Sequence, residues 1–234
     1  MLGKVLVSLG SALLGVLFLF VVNFAWPQWL LRERMEYRQF EVYSAAPLDD
    51  RIVPILDSAL ARIAISELYD PHIRYTIYLC DGPTTFTMFA PFSRDAFAVT
   101  YPVIDHIFVA HTDVANDRVF RPAEHHNTRT LSGTLAHEAT HVLVEHGVGL
   151  WEFKSMPDWK HEGYCDHIAR ESSIDHGKGV KELCLGTLDH PYFEGRLMVE
   201  YLLGQGSTFR DVAREHFSTE ELLRKVKRGK CPSP

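Results

Sequence analysis

Two histidines four residues apart, His137 and His141, with Glu138 beside the first, constrain this chain more than any other feature. On a helix, positions i and i+4 share a face, so two imidazoles at that spacing can bind one metal ion. The glutamate next to the first histidine is placed to hold and deprotonate a metal-bound water. The flanks favour a helix. Leu131, Leu135, Ala139, Val142 and Leu143 supply apolar positions at helical spacing, and Gly147 and Gly149 close the run.

The pattern fixes only three positions in a chain with 13 histidines, so the remaining ligand has to be sought elsewhere. A catalytic zinc normally takes three protein ligands and leaves one position open for water. A metzincin would need a histidine at position 147, which is Gly147. Downstream, Trp159-Lys160-His161-Glu162-Gly163-Tyr164-Cys165-Asp166-His167 offers an alternative. Asp158, after Pro157, reads as the N-cap of a helix running to about Ser172. Glu162 and Asp166 then share a face. Glu162 can reach the metal, and Asp166 can accept a hydrogen bond from the far nitrogen of a ligand histidine, fixing its tautomer.

HExxH followed about twenty residues later by ExxxD, in the setting W-x-x-E-G-x-x-D, resembles the gluzincin branch of zinc metallopeptidases. That branch includes thermolysin-like and aminopeptidase-type enzymes. The resemblance covers roughly Ile104 to Leu203 and describes a minimal catalytic domain of the peptidase MA type. It implies one zinc per chain bound by His137, His141 and Glu162, with Glu138 as general base and acid and Asp166 behind a ligand histidine. His190-Pro191-Tyr192-Phe193-Glu194-Gly195, entering a helical run to Leu203, resembles the segment carrying the transition-state tyrosine of aminopeptidase-type gluzincins. By that likeness Tyr192 donates to the oxyanion. A tyrosine at the start of a packed helix is also an ordinary boundary residue. No Gly-x-Met-Glu-Asn segment precedes the HExxH, so the aminopeptidase label is not carried over. In gluzincins an edge strand just before the metal helix aligns the substrate backbone, and Ile107, Phe108, Val109, Ala110 and His111 are the candidates for it.

Val5 to Trp26 holds no charged residue. As a helix it would reach about 33 Å, enough for a bilayer core. Trp26 and Trp29 stand at its end like interfacial anchors. The expectation is therefore a single-pass anchor in residues 1–30, with the helix at about 5–26. A cleaved signal peptide is the rival, but no small-x-small site follows directly. Arg32, Arg34 and Arg38 lean slightly toward a cytoplasmic domain. The export-like segment and four cysteines lean the other way, and an extracytoplasmic domain is expected. Cys80, Cys165, Cys184 and Cys231 form no CxxC pair, and a Cys165–Cys184 bridge would staple a loop to the site.

Residues 31–47 are expected as a linker, and 48–234 as one domain with a single core. Leu48 to Leu68 reads as a helix. Ile73 to Cys80, Thr85 to Ala90, Ala96 to Thr100 and His106 to Ala110 read as strands, with a turn at Asp81-Gly82-Pro83. Helices follow at about Trp159 to Ser172, Pro191 to Leu203, Thr208 to His216 and Ser218 to Lys227. Strands first and helices after imply an α+β fold, a small mixed sheet with an edge strand followed by a helical half carrying the zinc site. The net charge of −6 gives no basic footprint for nucleic acid. The expected partners are a protein or peptide substrate and the membrane. Two other readings stay open: a catalytically silent zinc-containing binding or assembly module, and a zinc hydrolase acting on a non-peptide bond.

Overall fold

A computed structural model describes residues 26–121 and 129–231, together with Gly15 and Val22. The expected membrane-spanning stretch lies almost wholly outside the described residues, as does the pair His125-His126. No helix among the described residues is long and apolar enough to cross a membrane.

The first elements fall where a linker was expected. Strands β1 (Glu33–Tyr37) and β2 (Phe40–Ser44) pair antiparallel around a tight turn at Arg38, whose φ is +53°. In β2, Phe40, Val42 and Ser44 point inward while Glu41 and Tyr43 alternate with them. That alternation of period two is the strand signature, diluted here by charged residues on the outer face. Helix α1 (Ile52–Ile63) then buries Ile52, Ile55, Leu56, Ala59 and Ile63, a stripe at helical spacing. It carries the chain across to β3 (Tyr75–Leu79), which runs parallel to β2.

Thr85 to Ala90 is not a strand. It belongs to helix α2 (Pro83–Phe89). The β-branched threonines favour a strand locally, but Pro83 opens the helix where a missing N–H costs nothing. Phe86 and Phe89, three apart, then reach one core. Strands β4 (Ala98–Tyr101) and β5 (His106–Val109) complete a sheet of order β1-β2-β3-β5-β4. The three inner strands are parallel, and β1 and β4 are antiparallel edges. The segment Ile107 to His111 is therefore not the edge. Residues 107–109 lie in β5, paired on both sides, and His111 opens a separate hairpin of β6 (His111–Asp113) and β7 (Arg118–Phe120). The edge that precedes the HExxH helix in space is β4.

The helical half runs α3 (Leu131–Val148), α4 (Leu150–Ser155), α5 (Asp158–Ala169), α6 (His176–Leu185), α7 (Pro191–Gly204), α8 (Phe209–Arg214) and α9 (Thr219–Lys230). This makes nine α-helices and one small mixed sheet among the described residues, an α+β architecture. Helix α3 is buried on every side from Leu131 to Val144, so its histidines lie in the core. Thr130 caps it by accepting from the Gly133 N–H, and Gly149 ends it at φ +93°. Asp158 is the first residue of α5 rather than its cap, which is Pro157.

Helices α5 and α7 cross in backbone contact. A Cβ on Gly163 would lie 2.4 Å from the Gly195 carbonyl carbon, and one on Gly195 would lie 2.5 Å from the Trp159 oxygen. The glycines in the two segments that resembled gluzincins thus have a shared packing reason. The one disulfide among the described residues joins Cys184 in α6 to Cys231 just past α9. Cys165 is not its partner. It is a free thiol on the inward face of α5.

Gly163→Ala forces these helices apart and should cost about 1–3 kcal/mol, the usual penalty of overpacking, seen as a drop of several degrees in Tm. An unchanged Tm would show that the crossing has slack.

Candidate metal centre

Helix α3 presents His137 and His141 to α5, which presents Glu162, Cys165 and Asp166 in return. One turn separates each pair on its own helix, so the two faces mesh. The Glu162 carboxylate stands between the rings, with His137 Nε2 3.2 Å from Oε2 and His141 Nε2 3.6 Å from Oε1. Behind His137, Nδ1 lies 2.8 Å from Asp166 Oδ1. The Nε2 edges of both histidines are thereby turned to the carboxylate that shared a face with Asp166 in the sequence.

Three groups of described residues bring ligand atoms within 4.8 Å of one another: His137, His141 and Cys165; His141, His161 and Glu162; and Asp105, Glu145 and His146. The set expected from the sequence spans the first two of these. The structure adds Cys165, whose Sγ is 3.4 Å from His141 Nδ1, and His161, whose Nδ1 is 3.7 Å from Glu162 Oε1. The donors fit a zinc ion: two imidazoles and a carboxylate, nearly enclosed, with a second carboxylate orienting one ring from behind.

Several of these groups ionise abnormally. Burial pushes the His137 ring down, but the Asp166 and Glu162 carboxylates outweigh it and raise it to about 10. Burial, with His137 and His161 nearby, drives His141 down to about 3 despite Glu162. Burial opposes ionisation of Glu162, yet the two rings hold its carboxyl well below the usual range. The Glu162 and Asp166 carboxylates thus favour positive charge at the His137 ring, in a place where a cation would do the same work.

Two partners had no sequence signal. Arg129 sits just before the N-cap of α3 and donates from Nη2 to Asp166 Oδ1 at 2.6 Å, with Asp166 0% and Arg129 7% exposed. Burial disfavours the Asp166 charge, and Arg129 and His137 more than restore it. Thr100, on the edge strand β4, donates from Oγ1 to Glu138 Oε2 at 2.6 Å. Burial raises the Glu138 carboxyl above its ordinary range. Nothing in the sequence around Arg129 or Thr100 separates them from ordinary surface and strand residues.

A cleft of about 560 Å³ opens over this cluster. The edge strand supplies one wall through Ala98, Val99 and Thr100, while Glu138, Glu162 and Tyr192 face the same space. Tyr192, in the first turn of α7, is 45% exposed, which is not the packing of a core tyrosine. The nearby Glu162 charge and partial burial push its hydroxyl up to about 12. His161 stays beside Glu162, His167 turns toward Glu200 at 3.6 Å, and His190 is not among the lining residues.

No protein-family model matches the chain, and no curated protein matches it.

Arg129→Met removes one partner of a buried charge pair and leaves Asp166 with His137 alone. Urea unfolding should show a loss of about 3–5 kcal/mol, most of it recovered when Asp166→Asn is added. A loss within experimental error for the single variant would mean that Asp166 does not need Arg129.

Proposed function

We propose that this chain is a zinc metallopeptidase of the gluzincin type, anchored by its amino-terminal segment, with its catalytic domain outside the cytoplasm. The observation that carries the reading is the meeting of His137, His141 and Glu162 in one cleft with Glu138 and Tyr192 facing it. Those three ligands would hold the zinc, Asp166 would fix the His137 tautomer, and the ion when bound supplies an acidified water, of pKa about 7, and a Lewis acid.

The chain's own residues do the rest. Glu138, held by the Thr100 hydroxyl, accepts the proton of the attacking water and returns it to the leaving amine. Tyr192 donates to the oxyanion as charge develops there. The free edge of β4 lines the cleft, so an extended substrate can add to it as a further strand, with its backbone hydrogen bonds setting register. The Cys184–Cys231 disulfide suits an oxidising compartment, which supports the extracytoplasmic placement.

A silent metal-binding module is the second reading. Cys165 favours it, since a thiol beside both histidines suits a closed structural site. Glu138 speaks against it, because a structural ion needs no base.

Casein or a peptide library, assayed with and without chelator, separates the two. Hydrolysis that chelation abolishes is expected. Glu138→Gln should keep the fold and lower turnover by about 10²–10⁴, the usual worth of a general base. Tyr192→Phe should lower turnover by about 10²–10³ with little change in KM, as for a donor used only in the transition state. Full activity in Glu138→Gln would overturn the mechanism, and normal turnover in a stably folded Tyr192→Phe would return that residue to a packing role.

A further inference from the structure

The sheet has a second, smaller core on the face away from the metal helix. Leu31, Tyr78, Phe86, Phe89 and Phe108 meet there, with Tyr78, Phe89 and Phe108 stacked ring on ring. Two pieces of chain cover it. One is the single turn Pro27–Trp29, tied to the sheet by Gln28 Nε2 donating to the Tyr78 hydroxyl at 2.9 Å. The other is α2 with the loop after it.

The outer surface of these two pieces is uncharged and carries large apolar side chains among its threonines. Phe92 is 96% exposed, Trp26 64% and Trp29 51%, and Met88, four residues before Phe92, is exposed too. From Gly82 to Ser93 there is no charged residue, and an exposed arginine follows each piece, Arg32 and Arg94, each with an exposed carboxylate next to it, Glu33 and Asp95. Tryptophans, a projecting phenylalanine and flanking arginines are what a membrane–water interface selects, because the rings enter the headgroup region and the guanidinium groups stay at the phosphates. The occupant is indicated by how the chain arrives. The uncharged run that begins at Val5 ends at Trp26, on this face, so whatever holds that run holds this face beside it.

We propose that this face lies on the bilayer, with Phe92 and Met88 inserted in the interface as a second contact beyond the anchor. This rests on the membrane attachment proposed above. It has a consequence for substrate. Ser93, Asp95, Ala96 and Phe97, directly after Phe92, line the cleft. The segment that leaves the docked face thus runs into one wall of the cleft, and the substrate class we infer is polypeptide lying close to the bilayer, such as the flanks of membrane-spanning segments.

The test uses the full chain in lipid vesicles. The native cysteines are either buried or joined in the disulfide, so an introduced cysteine is the one reactive thiol among the described residues. Phe92→Cys and Met88→Cys, each nitroxide-labelled, are compared with Glu220→Cys on α9. Both replaced side chains are exposed, so the fold should survive. Labels at 92 and 88 should be open to oxygen and shielded from a water-soluble nickel chelate, at a depth of about 5–10 Å. The label at 220 should be open to the chelate. Vesicle-bound protein with a chelate-accessible label at 92 would overturn the docking and leave the anchor standing. Protein that does not float with vesicles would overturn both. A label at 92 shielded from both reagents would mean that protein covers the face, either a second copy or the amino-terminal run folded back, and would also overturn the proposal. Hydrolysis does not enter the measurement, so its outcome is separate from that of the peptidase reading.

Discussion

Glu162 stands between two imidazole edges inside the packed helical half, and the rest of the structure is arranged to make that tolerable. Burying an ionised carboxylate costs several kcal/mol unless a partner offsets it. Here the offset is a chain of charges. Arg129 neutralises Asp166, Asp166 orients His137, and His137 faces Glu162. The four members come from three parts of the fold, so the site exists only when α3, α5 and the segment before α3 are all in place. The Gly163–Gly195 crossing sets how deeply α5 sits against its neighbours, and so where Glu162 reaches.

The sheet contributes through its edge rather than its centre. Because the antiparallel β4 is outermost, Thr100 can touch Glu138 while the backbone beside it borders the cleft. An interior strand such as β5 has both sides occupied and can offer neither. The same sheet carries the small aromatic core on its other face, and the two segments covering that core bring the apolar surface and the end of the uncharged amino-terminal run together.

What could be read from the sequence follows a physical pattern. Local signals with a strong period or a cap came through: α1, α3, α5, α7, α8 and α9 fall within a few residues of their expected positions. That His137 and His141 share one helix face and Glu162 and Asp166 another was legible from helical spacing, and the structure brings these two faces together. Where local preference and tertiary packing disagreed, the sequence misled. Thr84 and Thr85 favour a strand, but Pro83 and the Phe86–Phe89 spacing make a helix. The β1–β2 hairpin turns at Arg38-Gln39, which carries no turn residue, and its charged outer face hid the alternation. Contacts between distant segments were not legible at all. Nothing local marks Arg129 as the partner of Asp166, Thr100 as the partner of Glu138, Cys231 as the partner of Cys184, or β4 rather than β5 as the edge.

The metal content of the purified full chain bears most directly on the centre of this picture. Elemental analysis should find one zinc per chain, lost on Glu162→Ala and retained on Cys165→Ala. Zinc that survives loss of Glu162 and disappears with Cys165 would assign the ion to His137, His141 and the thiol, and contradict the proposed catalytic ligand set. Absence of any bound metal in freshly purified, unchelated protein would contradict the metal centre altogether.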